Sequence, residues 1–79
     1  MVWRVVDIDD RRWNVSIAAE RRANSEQWNL VFSFRPVDMG QRAFWATYPL
    51  SSASRSALFA QAAQLPDDVI AAFLAEHLQ

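Results

Sequence analysis

Three aspartates crowd the segment VVDIDD as Asp7, Asp9 and Asp10, and two more, Asp67 and Asp68, are adjacent near the other end of the chain. General acid–base chemistry needs two carboxyl groups facing one another across a pocket, with pKa values driven apart. Neither group has that pattern. Asp9 and Asp10 are placed as turn residues, which bond to the backbone just ahead of them. Asp67 and Asp68 are placed in the first turn of a helix, where the macrodipole favours negative charge. The single histidine, His77, borders an apolar stripe near the C-terminal end of that helix. A nucleophilic serine would need that imidazole beside it and an acid to orient it. Ser51, Ser52, Ser54 and Ser56 are available, but the chain holds no G-x-S-x-G segment. One histidine and no cysteine leave no metal-ligand set, and the one glycine, Gly40, cannot build a phosphate-cradling loop. No catalytic residue, metal or cofactor is therefore expected, and no enzymatic activity.

The arginines carry more. All eight basic residues are Arg and none is Lys, which rules out lysine Schiff-base chemistry and fits a GC-rich bacterial genome. In an up-and-down meander, alternate connections fall at the same end of the sheet. Arg11, Arg12 and Arg42 then share one end. Arg21 and Arg22 share the other with Ser52, Ser54 and Arg55, where the first helix begins. Helix-start N–H groups, hydroxyls and guanidinium groups together suit an anion. Glu20 and Glu26 in the same region are placed to neutralise Arg21 and Arg22. Trp3, Arg4 and Trp45 suggest a second possibility, a stacking platform for single-stranded nucleic acid. A net charge of −1 works against it, because phosphate neutralisation supplies most of that affinity.

The elements that must position these residues are read from apolar periodicity. Trp28, Leu30, Phe32 and Phe34 alternate with Asn29, Val31, Ser33 and Arg35, the period-two mark of a strand with one buried face. This is taken as the central strand, stopped by Pro36. Val2–Asp9 is a strand apolar on both faces, with Trp3 and Val5 pointing one way and Val2, Val6 and Ile8 the other. Asp9–Arg12 is a polar turn. Trp13–Glu20 has the cleanest alternation in the chain and pairs with the first strand as a hairpin. Arg21–Gln27 is a polar loop, and Val37–Gln41, with Gly40, a third connection. Arg42–Leu50 is the fourth strand. It has an aromatic on each face, so its buried side is left open between Phe44/Tyr48 and Trp45.

After Leu50 the period becomes helical. Serines 51, 52 and 54 are N-cap candidates for a helix over Arg55–Leu65, with Leu58, Phe59, Ala62 and Leu65 on its apolar side. Pro66 separates it from a second helix, on which Ile70, Phe73, Leu74 and Leu78 form one stripe. Four strands followed by two helices define an α+β fold: an antiparallel β-meander with both helices on one face, β-β-β-β-α-α. A small bent barrel of the Sm or OB type is the alternative. It is disfavoured because the only glycine lies in a presumed turn and not at a strand corner.

Seventy-nine residues suit one domain over 1–79, small enough to be marginal alone. Without disulfides or metal, oligomerisation or dense aromatic packing must supply stability, and four Trp, five Phe and one Tyr supply material for both. Two helices cover one sheet face only. The other would carry Trp3, Val5, Val31 and Trp45, a patch near the limit that a monomer exposes. The expected function is a self-associating interaction or regulatory module, a homodimer or a binder of another protein. The alternative is a single-stranded nucleic-acid or other anion binder using the arginine-rich loop ends. The opening residues MVWRVVDIDD do not read as a signal peptide, and no apolar run approaches the roughly 18 residues of a membrane span. A soluble cytoplasmic protein with no membrane partner is expected.

Overall fold

The computed structural model describes residues 2–38 and 42–78. Its strands are β1 (Arg4–Ile8), β2 (Arg11–Arg21), β3 (Trp28–Pro36) and β4 (Phe44–Ser52), followed by the helices α1 (Arg55–Ala62) and α2 (Asp67–His77). The strands form one antiparallel sheet in the order β1-β2-β3-β4. This is the expected β-β-β-β-α-α meander. The barrel alternative fails because β1 and β4 remain opposite edges of the sheet. A corner bend would have to interrupt the central strands, yet β2 and β3 pair without a break from Trp13↔Pro36 to Arg21↔Trp28.

The β1–β2 turn is tighter than expected. Ile8 pairs with Arg11, leaving a two-residue loop, and Asp9 and Asp10 both have positive φ, 50° and 65°. Two left-handed residues define a type I′ turn, whose twist matches the flanking strands. Aspartate tolerates that region better than most residues. The expected turn at Gly40 lies outside the described residues.

Alternation sets the buried face. Trp13, Val15, Ile17 and Ala19 on β2 stand beside Leu30, Phe32 and Phe34 on β3, and these stand beside Phe44, Ala46 and Tyr48 on β4. The open question about β4 is thus decided by its partner strand. Phe44 shares a face with Phe34, which sends Trp45 to the other side, where it is 67% exposed. Leu58 and Ala62 of α1 and Ile70 and Leu74 of α2 close the core. Phe32 is fully buried, with ring contacts to Trp3, Phe34, Tyr48 and Phe73 at 5.3–6.0 Å.

Two irregularities shape the edges. Leu30 pairs with Tyr48 but Asn29 with Ser51, so Pro49 and Leu50 are extra residues on β4. Proline fits such a place because it has no N–H for the ladder. On β1, Arg4 is in register with Val15, and the Trp3 N–H also bonds the Val15 carbonyl at 2.8 Å. Two residues opposite one is the count of a β-bulge.

Each helix is bounded by local chemistry. Ser54 caps α1, its Oγ accepting from the Ala57 N–H at 3.1 Å. The helix stops at Ala62, short of the expected Leu65, because Gln64 and Leu65 N–H bond carbonyls three residues back and tighten the last turn. Pro66 stands at the N-cap of α2, with Asp67 and Asp68 in the first turn as expected. No helix among the described residues is long and apolar enough to cross a membrane.

Candidate binding surfaces

The Arg21–Trp28 register pair places a guanidinium and an indole side by side at one end of the sheet. Ser52 pairs with Trp28 from the other side, so α1 begins at this same end. The Arg21 guanidinium lies 5.0 Å from the Trp28 ring centroid and that of Arg55 lies 5.3 Å from it. Each contact is worth about 0.5–1 kcal/mol at an exposed site. Two cations on one ring also repel one another, and among the described residues neither forms an ion pair with a carboxylate. The ion pairs among the described residues are Arg4–Asp67 and Arg12–Asp7, so Glu20 and Glu26 do not neutralise Arg21 or Arg22 as expected.

The expected anion set is only partly assembled. Arg21, Arg55, Ser52 and Ser54 share this end. Arg22 departs, lining an open depression with Ser25, Asn29, Thr47, Tyr48 and Pro49. Strand alternation is the reason, since consecutive residues leave a strand on opposite sides. The serine hydroxyls already have local work. Ser54 Oγ caps α1 and lies 3.0 Å from Ser56 Oγ, while Ser52 Oγ accepts from the Ser54 N–H at 3.5 Å. Trp28 went unread as a site residue because it was assigned to the core. The signal was present: Arg21 and Trp28 flank one hairpin loop and must pair if the loop closes regularly.

The helix-free face departs further from expectation. Trp3 does not lie there. The bulge at Trp3–Arg4 turns both side chains to the helix side, where Trp3 stacks on Phe32 at 6.0 Å and Val2 takes the outer position. The Arg4 guanidinium lies 4.3 Å over the Trp3 ring and donates to the carbonyls of Leu65 and, at 2.8 Å, Ala63. It also pairs with Asp67 at 3.2 Å. A stacking platform made of Trp3, Arg4 and Trp45 is therefore not formed. Val31 is on the outer face but only 7% exposed, hemmed in by its strand neighbours Ala18 and Thr47. Val5, 45% exposed, is on β1 and Trp45 on β4. Three strand spacings, roughly 14 Å, separate those strands, with Asn14, Ser16, Ser33 and Arg35 between them. The four residues do not form one apolar patch; Trp45 stands as its main member.

His77 and the serines lie at opposite ends of β4. The imidazole stacks on Phe44 at 6.1 Å and lies tilted against Phe73 at 4.5 Å, with Nδ1 2.9 Å from the Phe73 carbonyl oxygen. Ser51 and Ser52 are at the other end of that strand. No group of three His, Cys, Asp or Glu among the described residues is placed to hold a metal ion. The fold and these surfaces define a small α+β domain with an open sheet, helices on one face and arginines at the strand ends. No family model, curated protein or solved structure matches the chain.

Proposed function

We propose that this chain is a non-enzymatic interaction module that associates with a second copy of itself through the surface around Trp45 on β4. The carrying observation is Trp45, two-thirds exposed on the edge strand β4. Large aromatics so placed are enriched at protein interfaces and not on inert surfaces. The nearest neighbours of Trp45 on the helix-free face, Ser33, Val31 and Thr47, are uncharged, with Arg35 as the charged residue at the margin. The many small polar side chains favour a mixed interface over a purely apolar one. A bacterial cytoplasm is the proposed setting, in keeping with the cysteine-free composition.

Sedimentation velocity across about 1–100 µM, the range of a weak dimer's dissociation constant, tests this. A concentration-dependent dimer is expected, and Trp45→Arg should leave a folded monomer. Wild-type protein that stays monomeric throughout overturns it.

A second reading, anion or single-stranded nucleic-acid binding, is favoured by the Arg21–Trp28–Arg55 arrangement. An anion between the two guanidinium groups would relieve their mutual repulsion while the indole holds them in place. Oligonucleotide binding that weakens steeply with salt would support it.

A further inference from the structure

Resting on the self-association just proposed, we infer its geometry: β4 pairs antiparallel with β4 of the partner across a two-fold axis, joining two four-stranded sheets into one. The two edges of the sheet differ in how they are protected. Native edges are blunted by shortness, charge, proline or bulges. β1 is five residues long and carries Arg4 and Asp7. β4 is nine residues long, FWATYPLSS, without a charged side chain. Its protection is confined to Pro49 and the irregular step there, which leaves Phe44–Tyr48 regular and open on the outer side.

That stretch suits its own copy. An antiparallel two-fold pairing sets a strand against itself, so any charge would meet its duplicate nearby, and here there is none. Main-chain groups supply the affinity in such an addition, and alternate side chains the specificity. An axis near Ala46 places Phe44 beside the partner's Tyr48 and Trp45 beside the partner's Thr47. On the helix side, a groove of about 350 Å³ runs along this edge, lined by Tyr48, Pro49, Val69, Ala72, Phe73 and Glu76. Phe44, Tyr48 and Phe73 are only half-buried. The partner's Phe44 would enter this groove and extend the aromatic core across the axis.

Hydrogen exchange on wild-type protein and cysteine bridging together test the geometry. The chain has no cysteine, so each introduced thiol is unique. In the edge-paired dimer, amides within Phe44–Tyr48 gain protection as concentration rises while β1 amides do not. Ala46→Cys, buried on the helix side where no face-to-face contact reaches, would meet its own copy across the axis at the roughly 4.5–5.5 Å Cα spacing of antiparallel neighbours and should form a disulfide directly on mild oxidation. Ser16→Cys should not, since its copies would stand about 24 Å apart, five strand spacings. A dimer that cross-links through Ser16→Cys, with β4 amides exchanging as in the monomer, overturns edge pairing and leaves self-association standing. A dimer in which β1 amides are the ones protected overturns it equally. A monomer at every concentration overturns both.

Discussion

Arg4 lies over Trp3, its guanidinium carbon 4.3 Å from the ring centroid, because a bulge sets both residues opposite Val15. The pair ties β1 to the junction between the helices. Arg4 satisfies the Ala63 and Leu65 carbonyls, which the end of α1 leaves without intrahelical partners. Its side chain is 20% exposed, so these charge-assisted bonds are only partly screened. Arg4→Met should lower stability by about 2 kcal/mol, the order of a hydrogen bond to a charged group. Arg4→Lys should recover only part, since an ammonium cannot reproduce the guanidinium fork. Urea denaturation followed by circular dichroism measures both. Equal midpoints for Arg4→Met and wild type would show that the clamp contributes nothing.

Phe32 is the centre of the core. Removing its ring leaves a cavity bordered by Phe34, Tyr48 and Phe73 as well as the lost transfer energy. Phe32→Ala should cost about 3–5 kcal/mol. Trp45→Ala, by contrast, should leave the monomer's stability within about 0.5 kcal/mol, as surface substitutions do. Denaturation below the association range, where dimer does not contribute, compares the two.

The type I′ turn makes Asp9 and Asp10 tolerant in one direction only. Asp10, at φ 65°, should accept Gly with little change, because relief of left-handed strain offsets the added unfolded-state freedom. Asp10→Val should destabilise by about 1–2 kcal/mol, since a β-branched side chain resists positive φ. Thermal midpoints of the three proteins settle the order.

At the arginine end, sulfate or phosphate should raise the melting temperature beyond chloride at equal ionic strength. Arg21→Gln or Arg55→Gln should remove that increment, while Arg11→Gln, at the opposite end of β2, should not. An increment that survives both substitutions would place anion binding elsewhere. One that is absent from wild type would mean that Arg21 and Arg55 only pack on Trp28.

Much of the architecture was legible in the chain itself. The alternation from Trp13 to Ala19 and from Trp28 to Phe34 assigned the buried faces of β2 and β3, because a pleated strand cannot place neighbouring residues on one side. The shift to helical period after Leu50, with serines before it and Pro66 within it, assigned the helices and their order. Placing Arg21 and Arg55 at one end followed from meander topology. Tertiary structure alone decided the rest. Trp3 changed faces because a bulge counts two residues against one, and its signal is a hydrogen bond to Val15, not a spacing. Trp45 faced outward because Phe34 drew Phe44 inward, a choice between two aromatics that periodicity leaves equal. Val31 lost its exposure to neighbours on adjacent strands, and Arg4 was drawn from the surface by helix-end carbonyls more than fifty residues away. Local periodicity dictates where a side chain points along one strand. What it meets there depends on residues far away in the chain, and only the folded arrangement brings those together.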